Sequence, residues 1–143
     1  MKKRLEKCPK IFLLIIIILI SALLLYLYDK NGASETALVT KVIDGDTFVI
    51  ENGERVRLIC INTPEKDEQG YQEAKDFLTN LVFNKTVILE KDVSNRDKYR
   101  RLLRYAYVSN TRIFVNRELY QSGYAEMLRY YPDVSKCDEI YKQ

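Results

Sequence analysis

A mainly β fold with helices, a five-stranded barrel behind one N-terminal transmembrane helix, is what this chain predicts. Three observations carry that expectation. Residues 11–28 form an uncharged apolar run, two hairpin dipeptides separate β-branched segments between Ala37 and Ile61, and a later stripe of apolar residues repeats at helical spacing.

The run IFLLIIIILISALLLYLY contains one serine as its only clearly polar side chain. As a helix it spans roughly 27 Å, close to the hydrocarbon thickness of a bilayer. A buried helix of a water-soluble core would show a polar stripe, and none is present. Five basic residues precede the run and only Lys30 closely follows it. The positive-inside bias therefore keeps residues 1–10 in the cytoplasm, makes 11–28 a signal anchor and places everything after residue 30 outside the cell. Tyr26 and Tyr28 fall where an outer interface favours amphipathic rings. The alternative is a signal peptide cleaved near Ser21-Ala22, which would release the remainder as a secreted protein. Residues 29–36 read as a polar linker, and 37–143 as one small domain.

Within that domain Ala37–Ile43, Asp46–Ile50 and Arg55–Ile61 are rich in Val, Ile and Thr. Asp44-Gly45 and Asn52-Gly53 divide them, which predicts a three-stranded antiparallel meander. Ala74, Phe77, Leu78, Leu81 and Val82 fall at i, i+3, i+4, i+7 and i+8, an amphipathic helix over Tyr71–Val82. Thr86–Glu90 and Leu102–Val108 read as strands around the charged stretch 91–101. A shorter helix fits Phe114–Ser122, with Gly123 placed for a left-handed helix end. Ser135 would cap a last short helix that runs to Gln143, so that the helix is either brief or truncated. Three strands, a helix, two strands and a helix are the ingredients of an OB-type barrel.

Composition removes several chemistries. The chain contains no histidine, so a Ser-His-Asp or Cys-His nucleophile and a His-ligated metal are excluded. Its three cysteines, Cys8, Cys60 and Cys137, are widely spaced and read as incidental. The net charge of +3 belongs to the N-terminus: residues 1–30 carry six basic against two acidic side chains, the rest 17 against 18. Bulk charge thus gives the domain no footprint for nucleic acid, and any phosphate contact must come from placed arginines.

Four polar clusters interrupt the apolar pattern. They are Asp44-Gly45-Asp46-Thr47, Asn62-Thr63-Pro64-Glu65, Arg57 within an apolar strand, and Arg96-Asp97-Lys98-Tyr99-Arg100-Arg101. Each alone has a bland reading, as a turn, a strand end, a snorkelling edge residue and a wet loop. If the second and third strands pair through Glu51–Glu54, however, Asp46 and Asn62 meet at the far end of the hairpin together with Glu65. Such hard oxygen donors suit Ca²⁺ or Mg²⁺, and two guanidinium groups beside them suit a phosphate. Metal-assisted phosphodiester hydrolysis is one of the few reactions this set could serve.

The runs VIDGDT (42–47), RLICINTPE (57–65), DKYRRLLRYAYV (97–108) and NRELYQSGYAE (116–126) resemble the staphylococcal nuclease (thermonuclease-like) family in order, content and spacing. The resemblance covers about residues 37–133. It implies an OB-fold enzyme that hydrolyses DNA and RNA with Ca²⁺, cutting the 5′ P–O bond to leave 3′-phosphates. By that likeness Asp46, Asn62 and the Thr63 carbonyl would hold the metal, with Asp44 supporting them from behind. Glu65 would orient or deprotonate the attacking water, Arg57 and Arg101 would hold the scissile phosphate, and Tyr99 and Tyr131 would line the nucleotide pocket.

Two departures stand out. Asn62 occupies a position where the family usually has Asp, which implies a weaker calcium site, and Arg100 stands where the family commonly has Gly. The expectation is a membrane-anchored, extracytoplasmic, monomeric nuclease of low sequence specificity. The alternative is a non-catalytic OB module that captures nucleic acid or a protein at the cell surface.

Overall fold

Helix α1 runs over Cys8–Lys30 in the computed structural model, which describes the backbone of residues 8–30 and 34–142 and the side chains of residues 11–25 and 34–142. Neither Gly nor Pro interrupts the helix after Pro9, and Pro is tolerated in a first turn. The Ser21 hydroxyl donates to the Ile18 carbonyl at 2.8 Å, which satisfies, within the helix itself, the one polar side chain of residues 11–25. Side chains 11–25 are exposed on every side. Among the described residues no helix is long and apolar enough to cross a membrane. The expected span of 11–28 extends past the last described side chain, and Cys8, Tyr26 and Tyr28 lie outside the described side chains.

Residues 34–143 form a second unit. Strands β1 (Glu35–Val42), β2 (Thr47–Ile50), β3 (Arg55–Leu58), β5 (Thr86–Glu90) and β6 (Leu102–Val108) close into a barrel in the order β1-β2-β3-β6-β5. All of the ladders are antiparallel except β3–β6, which is parallel and pairs Val56 with Leu102 and Leu58 with Arg104. The expected meander and the five-stranded barrel are both present. Val39, Phe48, Val56, Leu58, Leu89 and Ala106 fill the interior without exposure.

The two hairpin glycines act differently. Gly53 supplies the left-handed residue of the β2–β3 turn, at φ 84°. Gly45 is needed for closeness instead: a Cβ there would lie 2.7 Å from Thr63 Oγ1 and 2.8 Å from Ala74 Cβ. Gly45→Ala is therefore expected to cost about 1–3 kcal/mol, because backbone must move to relieve the overlap. Urea unfolding checks this, and an unchanged midpoint would show that the turn yields freely.

The third strand departs from expectation. It ends at Leu58, bends through Ile59 and Cys60, and resumes as β4 (Ile61–Asn62), which leaves the barrel and pairs with β7 (Glu126–Met127). The bend places Cys60 at φ 66°, left-handed for a residue with a side chain. Buried Asn116 supports it by donating from Nδ2 to the Ile59 carbonyl at 2.9 Å.

Helix α2 covers Tyr71–Val82 as expected and buries Ala74, Leu78 and Val82. Helix α3 is Val115–Gln121, with Phe114 and Ser122 as its caps, and Gly123 follows at φ 77°. Helix α4 is short, Cys137–Tyr141, and its N-cap is Lys136. The Ser135 cap is corrected: that residue's N–H donates to the Asp92 carboxylate at 2.9 Å.

The cysteines are corrected as well. Cys60 and Cys137, 77 residues apart in sequence, form a disulfide, because the bend after β3 and the start of α4 bring their Cα atoms to 5.3 Å.

Candidate active site

At the open end of the β2–β3 hairpin, the Leu58 N–H donates to the Asp46 carbonyl at 2.9 Å. The β3 bend then turns residues 61–65 back over the Asp44–Thr47 loop, so the two polar clusters meet. Asp46 is only 5% exposed, and both of its carboxylate oxygens are engaged. Oδ1 accepts from Thr47 Oγ1 and Arg57 Nε, each at 3.0 Å. Oδ2 accepts from the Thr63 N–H at 3.0 Å and from Thr63 Oγ1 at 3.1 Å. Asp44 lies one step outward, its Oδ1 accepting the Asp46 N–H at 3.1 Å.

Arg57 is 9% exposed and sits in this polar corner rather than snorkelling at an edge. Besides Asp46 it donates from Nη2 to Asn62 Oδ1 at 3.1 Å, and from Nη1 to the carbonyls of Ile61, at 2.9 Å, and Leu58. The guanidinium thus neutralises the buried Asp46 carboxylate and joins β3 to β4. Burial pushes the Asp46 carboxyl up, opposed by Arg57, and the same burial pushes the Arg57 guanidinium down, opposed by Asp46. Glu65 stands exposed beyond Thr63, and its charge reaches Arg57.

Arg101 enters from the other side, at the foot of β6. A tight turn, with the Arg100 N–H donating to the Asp97 carbonyl and the Asp97 N–H to the Arg101 carbonyl, brings it round. Arg100 adopts φ 65° there, a conformation in which a glycine meets no Cβ penalty. Asp97 organises the turn: its Oδ2 accepts from Arg101 Nε at 2.7 Å, and its Oδ1 accepts the N–H groups of Tyr99 and Arg101. Arg101 Nη1 reaches Thr47 Oγ1 at 3.4 Å. The chain Asp97–Arg101–Thr47–Asp46 therefore links the arginine to the buried carboxylate. Neither Asp97 nor Thr47 carries a local signal beyond being polar beside the motif residues.

Burial works to raise the Asp97 carboxyl, but the hydrogen bonds from Arg101 and Tyr99 outweigh it and hold it below its usual 3.8. A depressed carboxyl contributes order that is fully present above its unfolded value and lost as pH falls through the folded one. The loop is expected to stay ordered down to about pH 4 and to loosen below it. An NMR titration of the Arg101 amide checks this, and Asp97→Asn should show no such step.

Between this loop and the stretch after β7 lies a cavity of about 380 Å³, lined by Arg57, Cys60, Tyr99, Arg101, Tyr130 and Asp133 among others. Tyr99 is stacked by Arg101 at 5.4 Å and Lys98 at 5.0 Å. Tyr130 is among the residues that line the cavity and Tyr131 is not, although both rings are largely exposed.

Among the described residues no group of three or more Asp, Glu, Cys or His side chains could hold a metal ion. The oxygens grouped around Arg57 are the Asp46 carboxylate, the Asn62 amide and the backbone carbonyls of Leu58 and Ile61, with the Asp44 carboxylate one step outward. They are the hard donors that Ca²⁺ takes, and Asp46 is the charged one that contacts Arg57 directly.

Comparison with known proteins agrees with this geometry. Residues 55–143 match the family described as staphylococcal nuclease homologue. The chain is 32% identical over 120 residues to a thermonuclease of Staphylococcus hyicus, covering 78% of this chain and 70% of that protein. It is 36% identical over 124 residues to a thermonuclease of Staphylococcus intermedius, covering 80% and 71%. An uncharacterized endonuclease of Haemophilus influenzae is 33% identical over 133 residues, covering 88% and 70%. On the barrel, the site and these relatives together, the chain belongs to the staphylococcal nuclease family.

Proposed function

We propose that this chain is a nuclease that hydrolyses DNA or RNA phosphodiester bonds with Ca²⁺, cutting the 5′ P–O bond and leaving 3′-phosphates. The observation that carries the reading is the convergence of Asp46, Asn62 and Thr63 with two arginines that reach the site from different strands.

Asp46, Asn62 and the Thr63 carbonyl would hold the cation. Bound there, it would polarise the phosphate and stabilise the charge that develops on its oxygens. Arg57 has one Nη2 hydrogen beyond those used by Asn62, Ile61, Leu58 and Asp46. Arg101 presents its Nη2 edge, which has no protein partner among the described residues. Those edges would bind the phosphate, and Glu65, exposed beside them, would orient water for attack and accept its proton. Tyr99 and Tyr130 would stack against bases, which favours no particular base and fits low sequence specificity.

Residues 11–28 would anchor the enzyme, with the barrel outside the cell acting as a monomer. The apolar run and its basic N-terminal flank support that topology.

Hydrolysis of denatured DNA by the full chain is expected in about 10 mM Ca²⁺ and is expected to vanish with excess chelator. With one negative ligand the cation should bind weakly, so Asn62→Asp is expected to lower the Ca²⁺ concentration for half-maximal rate about tenfold. Cleavage indifferent to chelator would remove the metal from this reading. No cleavage by folded protein would favour a module that only binds nucleic acid.

A further inference from the structure

The stretch between β7 and α4 forms one wall of the cavity, through Leu128, Tyr130, Pro132 and Asp133. Both of its ends are tied to a single residue. At the near end, beside the two-residue β4–β7 ladder, the Leu128 N–H donates to the Cys60 carbonyl at 3.1 Å. At the far end Cys137, the first residue of α4, is bonded to the Cys60 sulfur, and the Tyr141 hydroxyl of the same helix donates to the same Cys60 carbonyl. Cys60 itself lines the cavity, so the bond runs from the floor of the site to the root of its wall. The barrel closes through ladders that use no residue beyond Val108.

We propose that the Cys60–Cys137 disulfide is a positioning element of the substrate cavity, which sets the wall carrying Tyr130 for nucleic acid only while the pair is oxidised. The proposal rests on reading this cavity as the place where nucleic acid lies. Helix α4 has five residues, too few to stand as a helix by its own backbone bonds. Without the covalent tie, the far half of the segment keeps its bonds from Ser94 to Asp133, from Ser135 to Asp92 and from Lys136 to Tyr105, while the exposed stretch 128–132 that carries Tyr130 loosens.

Nucleic acid must then order the wall as it binds, and that weakens affinity. The chemistry is spared, because Asp46, Arg57 and Arg101 are held by β2, β3 and β6 and the loops beside them, and Asn62 and Thr63 are held over them by their own bonds to Arg57 and Asp46. The switch is a thiol–disulfide exchange with a dithiol reductant. The S–S bond between Cys60 and Cys137 breaks and one forms within the reductant, while two electrons and two protons pass to the cysteines to give two thiols. Such bonds persist in oxidising compartments and are reduced in the cytosol. The enzyme therefore binds nucleic acid weakly where it is synthesised and tightly once it meets an oxidising environment.

The test uses the full chain carrying Cys8→Ser, so that only this pair can yield thiols, in detergent with a single-stranded DNA oligonucleotide as substrate. Reduction with excess dithiothreitol, confirmed by a count of two thiols, is expected to raise KM about tenfold while kcat stays within about twofold and the sheet circular dichroism is kept. Cys137→Ala should reproduce the reduced KM and ignore the dithiol. An unchanged KM, an effect confined to kcat, or loss of the sheet signal on reduction would each overturn the proposal, the last by making the bond a staple of the whole barrel. Tyr99→Ala in the oxidised protein separates the underlying reading. If it leaves KM unchanged, nucleic acid does not lie in this cavity and the proposal falls with that reading. If it raises KM and reduction does not, only the proposal falls.

Discussion

Arg101→Ala is expected to lower kcat by about 10²–10³-fold while the barrel stays folded. The side chain is half-buried at the foot of β6, and its partners survive its removal. Asp97 still accepts the N–H groups of Tyr99 and residue 101, and Thr47 still donates to Asp46. No buried charge is stranded, so on the proposed function the loss falls on the negative charge that would develop at the Nη2 edge. Arg101→Lys should recover little, because an ammonium cannot serve Asp97 and a phosphate from one planar fork. Single-turnover rates on a short DNA strand, with circular dichroism as the control for folding, decide the matter. Unchanged turnover would remove Arg101 from the reaction.

Asp46→Ala is expected to fail on stability as well as activity. The carboxylate accepts four hydrogen bonds, from Thr47, Arg57 and twice from Thr63, at a position almost closed to water. Its removal leaves the buried guanidinium of Arg57 with only the neutral acceptors Asn62, Ile61 and Leu58. Breaking a buried pair from one side typically costs about 3–5 kcal/mol. Out of a total of roughly 5–15 kcal/mol for a domain, that brings the protein near unfolding. Urea denaturation gives the number directly. A loss under about 1 kcal/mol would mean that Arg57 swings into solvent and that the corner is not closed. Asp46→Asn, which keeps the shape and loses the charge, should fall between the two.

The elements legible in the sequence were those whose signal is local. Helix α2 follows from five apolar residues at helical spacing, and β5 and β6 from β-branched and aromatic runs between polar stretches. Hairpin pairing pointed to the meeting of Asp46 with Asn62 only in part: it sets Asp46 opposite Leu58, and the bend at Cys60 carries Asn62 back to the same corner. What stayed hidden depends on distant partners. Nothing near Cys60 announces that β3 breaks there, since a left-handed residue with a side chain is chosen by its surroundings: the Asn116 amide and the β4–β7 ladder. The disulfide itself could not be read from three scattered cysteines, because pairing over 77 residues is a property of the fold. Tyr130 and Tyr131 are adjacent and alike, and only the path of the chain into Pro132 decides which ring meets the cavity.

The single parallel ladder of the barrel has a consequence for how the enzyme comes to exist. β3 and β6 are far apart in the chain, and their pairing sets Arg57 beside Leu103, two residues past Arg101. Contacts of such long range close late, after the loop entropy between them has been overcome. The ladder that seals the barrel is also the one that gives the two arginines their spacing. A chain caught before this ladder forms can hold the corner of Asp46, Arg57, Asn62 and Thr63 but lacks Arg101, so the site is complete only when β6 docks on β3.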